Sequence, residues 1–544
     1  MKRDLNRLSN EKFDLLIVGG GIHGATIAWQ AALEDFKVAI VEQNDFSSGT
    51  SSNSQKIIHG GLRYLSSFNF KRIKQSLNER KRLMWIAPHL VNPLPCVIPV
   101  YQHGFKGKEG MILGFKIYDY LSKDGIELPD IEKQIPNCEF LSNNKVRKII
   151  PDLDSSKLVG GAKWSDGFCF NTERLIISFI KSAVKFGALA ANYVCVEKLL
   201  VNGNRVEGVI AKDNLTGQGF SLRSDNVIDC TGTWINKYLY NDDMKYSYPL
   251  ISGINIITRK LFDHDLAIGL TRSDGKARYY FIVPWGEKSI VGTEWFYEHN
   301  KESSFEVGED QCKQFINNVN SVYPSLKLKL EDALYVHKGN VFGEKTKNDP
   351  SATLSDFKII GSESHSITGL FNVIGVKYTT AAYIAEEVIR KINPSIKRKK
   401  ILDQPKLIGG EIDTLFKFKA EIQNKFNKKI DSNELNSLIN NYGTEITNVV
   451  SPIHEWRKKE DIIKAKTIFS IKEEMANTLS DVVLRRTEIG SSEIPRDSVI
   501  DLITNVMSNE LGWNKEKKQN EINQLKNHYP KFIRNHSKEK IFSS

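Results

Sequence analysis

The first forty residues of this 544-residue chain allow few folds. An apolar run at 13–18 leads into Gly19 and Gly21, Gly24 follows one helical turn later, and a second apolar run covers 37–41. Glycines at this spacing let the backbone turn sharply and approach a pyrophosphate at the positive end of the next helix, and the third glycine lets that helix pack against the strand. The pattern predicts a strand, a tight turn, a helix and a second strand that together bind a dinucleotide.

An acidic residue and a polar loop narrow the choice of dinucleotide. Glu42 ends the second apolar run, where its carboxylate can accept hydrogen bonds from both ribose hydroxyls of an adenosine. The stretch 45–54 that follows is rich in hydroxyls and includes Thr50, Ser51 and Ser52. An NAD domain would normally continue here with further strands and helices. The loop instead suits a cofactor with more phosphate and ribityl contacts.

Short motifs spread along the chain are typical of one enzyme family. They lie at residues 51–52, 59–65 (His-Gly-Gly-Leu-Arg-Tyr-Leu), 87–90, 118–119, 166–167, 172–175, 230–234 and 481–487. In these motifs the chain resembles the FAD-dependent glycerol-3-phosphate dehydrogenases over almost its whole length. The resemblance implies bound FAD and oxidation of sn-glycerol 3-phosphate to dihydroxyacetone phosphate by hydride transfer to flavin N5. Electrons would then pass to quinone or another acceptor.

Four residues are candidates for the chemistry. Arg63 is expected in the pocket, where its guanidinium could reach an anionic group or a developing alkoxide, and Tyr64 could supply a hydroxyl. His59 is a candidate proton acceptor because histidine ordinarily titrates near neutrality; the alternative is a loop histidine bonded to backbone or flavin. Lys377 could stabilise negative charge on reduced flavin, or it could be a surface lysine after a turn. No metal site is predicted.

Two later strands are expected to return to the cofactor. Residues 226–232 predict a short strand that ends at Gly232, and 370–379 predict a strand and a turn with Gly375 that opens a helix over 381–392. In flavoproteins of this build, that helix N-terminus faces the flavin ring. The predicted cofactor contacts are Gly19, Gly21, Gly24, Glu42, Thr50, Ser51, Ser52, Lys56, Gly60, Gly232, Gly375 and Lys377.

The predicted fold is α/β, with a Rossmann-like FAD-binding domain, a β-rich antiparallel substrate cap and an α-helical C-terminal domain. The cap prediction depends on a hairpin signal at 277–285 and 289–295 and on strand candidates at 246–258 and 266–272. Amphipathic helices are predicted after about residue 405, including 433–441 and 472–486. The predicted boundaries are 12–75, 150–243 and 352–400 for the FAD-binding domain, 76–149 and 244–351 for the cap, and 405–540 for the helical domain.

Three positions depart from the family where the substrate phosphate should be held. The family's phosphate-binding arginine aligns with Val341, a second arginine with Ser355, and a histidine with Asn255. A charge-assisted contact contributes roughly 1.5–3 kcal/mol, so two losses could weaken phosphate binding a hundredfold or more. Nearby lysines that could substitute are Lys338, Lys345 and Lys347. One alternative is therefore an enzyme of the same fold that oxidises a different hydroxy or amino compound.

Composition limits the cellular setting. The chain is 40% hydrophobic and 26% charged, an ordinary globular balance, and has no apolar run near the roughly 18 residues that span a bilayer. Six cysteines without Cys-x-x-Cys spacing argue against zinc, iron–sulfur clusters and disulfides. We therefore expect a protein of the reducing cytoplasm, with a homodimer as one option.

The positive charge leaves its partner open. The net charge of +11 is concentrated at 397–400, 417–429, 515–518 and 531–540. It fits either peripheral contact with the anionic inner face of a membrane or a solvated lysine-rich surface. Nucleic acid is not predicted, because no binding motif accompanies the charge. A further alternative is a flavin-binding protein without turnover that acts as an interaction or membrane module.

Overall fold

Strands fill most of the N-terminal part of the chain and helices fill the C-terminal part. The computed structural model describes residues 1–123, 125–154, 156–235, 248–271, 279–298, 305–344, 352–361, 367–426, 429–452 and 459–542. The strands are β1 (Lys12–Val18), β2 (Val38–Val41), β3 (Ile57–Ile58), β4 (Val91–Val100), β5 (Glu139–Ser142), β6 (Gly160–Cys169), β7 (Leu189–Ala191), β8 (Val194–Asn202), β9 (Arg205–Asp213), β10 (Gly219–Asp229), β11 (Leu250–Arg259), β12 (Ala267–Thr271), β13 (Tyr279–Trp285), β14 (Lys288–Glu298), β15 (Tyr335–Phe342), β16 (Lys358–Ile360) and β17 (Leu370–Ile374). The helices are α1 (Leu5–Asn10), α2 (Ile22–Ala32), α3 (Phe70–Ile86), α4 (Lys108–Ser122), α5 (Asn143–Ile149), α6 (Thr172–Lys185), α7 (Glu309–Val322), α8 (Ala381–Ile392), α9 (Leu415–Phe426), α10 (Ser432–Tyr442), α11 (Ile446–Val450), α12 (Lys459–Glu474), α13 (Asp497–Leu511), α14 (Lys515–His528) and α15 (Lys531–Phe542).

The first sheet is built around the N-terminal glycine motif. Its strand order is β16-β17-β10-β1-β2-β7, and the five strands from β17 to β7 run parallel. Leu15 and Ile17 of β1 pack with α2, α6 and α8, whereas Leu16 and Val18 pack with the β8–β9 hairpin. Parallel strands covered on both faces are typical of α/β proteins. The predicted Rossmann-like domain is confirmed, and α8 has the predicted bounds.

The second sheet is the predicted β-rich cap. Its order is β15-β11-β14-β13-β12-β4-β6-β3, with β5 beside β6. Among the described strands its pairings are antiparallel, apart from β4 with β12. The predicted hairpin corresponds to β13 and β14, with residues 277–278 of the prediction outside the described residues. Helices α5 and α7 contribute to the core beside this sheet.

Two strands that the sequence analysis placed in the FAD-binding domain belong to the second sheet. β3 pairs with β6, and β6 pairs with β4 over ten residues, from Val91–Cys169 to Val100–Gly160. This correction moves 57–58 and 160–169 to the cap and shifts the predicted boundaries at 75 and 150. The apolar pattern of a strand shows that it is buried but does not show which strand it pairs with.

The predicted helix at 472–486 is wrong. α12 ends at Glu474, Met475 has a left-handed backbone with φ of 55°, and a separate π-helical turn covers Asp481–Arg486. A bulky residue with positive φ interrupts an α-helix. The turn that follows carries Arg485 and Arg486 to the first domain, as shown below.

The remaining C-terminal helices agree with the prediction. α10 covers the predicted helix at 433–441. Leu479, Val482 and Ile500 pack with apolar residues of β4, β6, β11 and β13, so the helical region covers one face of the second sheet. In the described part of the chain, none of the helices has the length and apolar character needed to cross a bilayer.

Candidate active site

A cavity of about 1260 Å³ lies between the two sheets. The carboxyl ends of β1, β10 and β17 form one side, and β11, β13, β14 and β15 contribute to the other. Ligand pockets usually measure roughly 300–1,000 Å³, so there is room for a dinucleotide together with a small substrate. The predicted site residues that line it are Gly19, Gly21, Glu42, Thr50, Ser51, Lys56, His59, Arg63, Tyr64, Gly232, Gly375 and Lys377. Of the predicted residues, Gly24, Ser52 and Gly60 do not line it.

The glycine turn has the close backbone contacts that the sequence predicts. Gly19 has φ of 108°, and a Cβ atom there would lie 2.6 Å from the carbonyl oxygen of Cys230. A Cβ atom on Gly24 would lie 1.9 Å from the carbonyl oxygen of Gly19. Glycine at both positions therefore lets α2 begin directly beside the end of β1. The N-terminus of α2 follows Gly21 at the cavity, where its dipole suits a pyrophosphate.

Glu42 is held in place by the glycine turn itself. Its Oε2 accepts a hydrogen bond from the Gly20 backbone N–H at 2.7 Å, and its Oε1 accepts one from the Asn44 N–H at 2.9 Å. Burial raises the pKa of Glu42 above its usual range, and these two N–H groups oppose that shift. Because each carboxylate oxygen has more than one acceptor position, both can still accept from ribose hydroxyls.

The hydroxyls of the polar loop mostly bind protein atoms. Ser51 Oγ accepts from the Ile22 N–H at 3.1 Å, and Thr50 Oγ1 donates to the Asn340 carbonyl oxygen at 2.7 Å. Ser52 Oγ donates to the carbonyl oxygen of Gly49. Thr50 therefore joins the polar loop to β15 of the cap, and Ser51 caps α2. Any direct cofactor contact by these residues stays a prediction.

Lys56 and Gly60 serve the structure around the cavity. The buried Lys56 ammonium lies 3.1 Å from Glu173 Oε2 and 4.7 Å from the centre of the Trp285 ring. The Gly60 N–H donates to Asp166 Oδ1 at 2.7 Å. The Lys56 side chain is thus engaged by Glu173, its backbone N–H donates to Ser54 Oγ at 3.2 Å, and its carbonyl oxygen accepts from the Cys169 N–H at 2.9 Å. Direct cofactor contact by Lys56 stays a prediction.

His59 forms a pair with a carboxylate that the sequence analysis did not assign to the site. His59 Nδ1 lies 2.9 Å from Asp166 Oδ2, and both residues line the cavity. Asp166 is buried, and its Oδ1 lies 3.8 Å from the Arg80 guanidinium. Burial raises the pKa of Asp166, but His59 and Arg80 together bring it below its usual range. An ionised Asp166 accepts a hydrogen bond from Nδ1–H of His59, and in that tautomer Nε2 is the ring nitrogen with a free lone pair.

Arg63, Tyr64 and Lys377 form a cationic cluster at the cavity wall. Arg63 Nη2 donates to the Tyr64 hydroxyl at 3.1 Å, and the Lys377 ammonium donates to the same oxygen. Burial raises the pKa of Tyr64, but Arg63 and Lys377 outweigh it and the pKa lies below its usual range. Lys377 also donates to the Ser355 carbonyl oxygen at 3.2 Å, and burial lowers its pKa. This cluster can hold an anionic group.

The opposite wall carries two of the three departures from the family pattern, whereas the third, Ser355, contacts Lys377 and does not line the cavity. Val341 and Asn255 both line the cavity, and the Thr293 hydroxyl donates to Asn255 Oδ1 at 2.7 Å. Lys338 does not replace the lost arginine, because its ammonium lies 2.9 Å from Glu298 Oε1 and donates to a backbone carbonyl. The other two lysines considered, Lys345 and Lys347, lie outside the described residues. Aromatic side chains along this wall are Trp164, Tyr279, Phe281 and Trp295.

Besides Asp166, two polar residues at the cavity were missed in the sequence. Ser47 Oγ and His23 Nε2 are buried, line the cavity and have no hydrogen-bond partner among the described residues. Burial lowers the pKa of His23 to about 4, so the ring is neutral at pH 7. Unpaired buried polar atoms are rare in native proteins and fit a site that a polar ligand completes. The polar loop contained a signal for Ser47, whereas His23 lay unremarked inside the glycine motif.

The cavity, the parallel sheet and the glycine turn together define a dinucleotide-binding protein. A family model described as "FAD dependent oxidoreductase" matches residues 14–390, and one described as "C-terminal domain of alpha-glycerophosphate oxidase" matches 402–518. The chain belongs to the FAD dependent oxidoreductase family. It is an FAD-dependent oxidoreductase, and the prediction of FAD is confirmed.

Individual relatives agree over nearly the full length. The chain is 29% identical to a glycerol-3-phosphate dehydrogenase of Synechocystis, covering 96% of this chain and 97% of that one, and 28% identical to the aerobic glycerol-3-phosphate dehydrogenase of Bacillus subtilis, covering 96% of each. The fold matches the glycerol-3-phosphate dehydrogenase of Bacillus halodurans complexed with FAD, with a TM-score of 0.74, 23% identity and coverage of 96% and 95%. It also matches the FAD-bound L-alpha-glycerophosphate oxidase of Mycoplasma pneumoniae, with a TM-score of 0.52, 18% identity and coverage of 72% and 96%.

Proposed function

We propose that the protein oxidises sn-glycerol 3-phosphate to dihydroxyacetone phosphate and passes the electrons to quinone or another acceptor. The observation that carries the proposal is the cationic cluster of Arg63, Tyr64 and Lys377, which faces the same cavity as the His59–Asp166 pair. One group can bind an anionic substrate while the other removes a hydroxyl proton. The relatives named glycerol-3-phosphate dehydrogenase support this choice of substrate.

In the proposed reaction, His59, Arg63 and Lys377 have different roles. FAD, when bound, supplies the hydride acceptor. His59 Nε2 takes the substrate hydroxyl proton, with the ring held by the 2.9 Å contact to Asp166. Arg63 binds the anionic part of the substrate and fixes the carbon to be oxidised, because an exposed guanidinium can make two parallel bonds to a phosphate. Lys377 keeps positive charge beside the reaction as negative charge develops.

The direct test is anaerobic mixing of the purified holoprotein with sn-glycerol 3-phosphate. We expect the yellow flavin absorbance to disappear and dihydroxyacetone phosphate to form in equal amount. Glycerol, which lacks the phosphate, is the matched control and is expected to react far more slowly. If sn-glycerol 3-phosphate leaves the flavin oxidised while dithionite reduces it, the proposed substrate is wrong.

A second candidate is oxidation of another hydroxy or amino compound by the same site. Val341 and Asn255 favour it, because both line the cavity at positions where the family holds cationic side chains. The same anaerobic assay with polyols, hydroxy acids and amines distinguishes the two candidates. A compound that reduces the flavin faster than sn-glycerol 3-phosphate would support this one.

We also propose peripheral contact with an anionic membrane, where a quinone would accept the electrons. The net charge of +11 supports it, since basic residues near such a surface contribute about 1 kcal/mol each. The basic segment at 515–518 begins the C-terminal helix α14. The cytoplasmic location and a homodimer stay predictions.

Asp166 is expected to act as a positioning residue for His59. Asp166→Asn should lower kcat at least about tenfold while FAD content stays unchanged, because the ring loses its ionised partner. Asp213→Asn is the control, since Asp213 is a buried carboxylate paired with Arg3 instead. Equal losses of kcat in both variants would remove Asp166 from this role.

A further inference from the structure

A buried carboxylate joins the FAD-binding domain to the helical domain. Asp45 Oδ2 lies 2.6 Å from Arg485 Nε and 2.8 Å from Arg486 Nη1, and its Oδ1 lies 2.7 Å from Arg486 Nη2. Asn192 Nδ2 donates to Oδ1 at 3.0 Å. The side chains of Asp45 and Arg486 are fully buried, and that of Arg485 is 9% exposed. We call the contact between Asp45 and the two arginines the Asp45 clamp.

The clamp is enclosed by further charge. Arg485 Nη2 lies 2.8 Å from Asp481 Oδ1, and Arg486 donates to the carbonyl oxygen of Glu474 at 3.0 Å. Removing charged groups from water is expensive, and buried ion pairs often fail to add stability compared with apolar side chains of similar size. In some proteins their role is instead to impose a specific geometry.

The two residues that follow Asp45 pack against the glycine turn. Phe46 is fully buried against Gly20 of the glycine turn, where an added Cβ would lie 2.5 Å from Phe46 Cδ1. Ser47 has a left-handed backbone with φ of 67°, and its N–H donates to the Gly20 carbonyl oxygen at 3.0 Å. A non-glycine residue in this region persists only where its surroundings enforce it. The clamp anchors one side of this short segment and the glycine turn anchors the other.

The segment ends at Ser47, a residue that lines the cavity. Its Oγ is buried and finds no hydrogen-bond partner among the described residues. Glu42 lies three residues before Asp45, and Asn44, whose N–H holds the Glu42 carboxylate, lies between them. Displacement of Asp45 would therefore disturb contacts on both sides of the coenzyme-binding turn.

We propose that the helical C-terminal domain forms a working part of the FAD site, because through the Asp45 clamp its arginines fix the loop that presents Ser47 to the coenzyme. Arg485 also lines the cavity, whereas Arg486 does not and acts through Asp45. By thermodynamic linkage, bound FAD in turn stabilises the docked helical domain. This inference depends on FAD as cofactor and not on the identity of the substrate.

Two substitutions test the clamp in different ways. Arg486→Lys keeps the positive charge but loses the planar fork that holds both carboxylate oxygens. Asp45→Asn keeps the size of the side chain and removes its charge. We expect each apoprotein to bind FAD at least about tenfold more weakly. The clamp depends on its charged, bidentate geometry, and without it the segment 45–47 is no longer held beside the coenzyme site. The measurement is titration of the full-length apoprotein with FAD, followed by flavin fluorescence.

Lys181→Gln is the matched control. The buried Lys181 of α6 forms an ion pair with the partly buried Glu445 of the helical domain, and neither residue lines the cavity. We expect its Kd for FAD to stay within about twofold of the original, while the Tm of the apoprotein falls as in the clamp variants. Unchanged FAD affinity in Arg486→Lys, or an equal loss in Lys181→Gln, would overturn the proposal. If Asp45→Asn does not fold, Arg486→Lys decides.

A double variant separates positioning from general destabilisation. If the clamp acts by positioning Ser47, the two substitutions remove the same contact. The Kd for FAD of the double variant Ser47→Ala/Arg486→Lys should then be no more than about twofold above that of whichever single variant binds FAD less tightly. Losses that multiply would show that the two residues act independently and would contradict the proposal. Activity with any substrate does not enter either result.

Discussion

Replacing Glu42 by alanine is expected to give a colourless protein whose affinity for FAD is at least about a hundredfold lower, since two charge-assisted hydrogen bonds contribute roughly 1.5–3 kcal/mol each. Glu42 can accept from the adenosine ribose, and it also accepts from the backbone N–H groups of Gly20 and Asn44. Its loss therefore removes ligand contacts and loosens the glycine turn. The measurement is the flavin content after purification, with Kd from reconstitution.

The control for this variant is Glu34→Ala. Glu34 lies just beyond α2, and its carboxylate pairs at 2.8 Å with Lys399 instead of facing the cavity. We expect normal flavin content in the control. Full retention of FAD by Glu42→Ala would show that the carboxylate has no role in binding the coenzyme.

Arg63→Ala is expected to retain FAD and to lower kcat/KM for sn-glycerol 3-phosphate at least about tenfold. A charge-assisted contact contributes roughly 1.5–3 kcal/mol, so the loss of one such contact can lower kcat/KM by up to about a hundredfold. The guanidinium lines the cavity, is exposed, and in the described part of the chain donates only to the Tyr64 hydroxyl. It is thus available to an anionic substrate. Steady-state kinetics with sn-glycerol 3-phosphate and the flavin spectrum measure the two quantities.

Arg72→Ala is the matched control for Arg63. Arg72 also lies beside the Tyr64 ring, at 5.6 Å, but its guanidinium pairs with Asp356 at 2.8 Å. We expect kcat/KM to change by less than about threefold, as for a surface ion pair. If Arg63→Ala loses no more than Arg72→Ala, Arg63 does not bind the substrate.

The first coenzyme-binding unit could be predicted from local sequence because its chemistry is local. Gly24 is required by a backbone contact within one strand–turn–helix unit, Gly19 has a φ of 108° that favours glycine, and Glu42 lies at the end of the next strand. The same holds for α8, whose apolar spacing gave its bounds. Such features depend on period and on residue type, which a single sequence displays.

Contacts between distant segments could not be predicted in this way. The Asp45 clamp joins residues 440 positions apart, and its geometry needs a π-helical turn where the sequence suggested a continuous helix. The pairing of β6 with β4 and the engagement of Lys56 by Glu173 likewise depend on tertiary packing. Asp166 belonged to a recognised motif, but only its 2.9 Å contact with His59 gives it a role.

The coenzyme content of the purified protein shows whether the cavity between the two sheets holds FAD. Acid release followed by chromatography is predicted to yield one FAD per chain. The apoprotein, incubated with FAD and passed over a desalting column, is predicted to regain the yellow colour. A protein that is colourless when purified and remains so after incubation with FAD would show that the cavity does not hold this coenzyme.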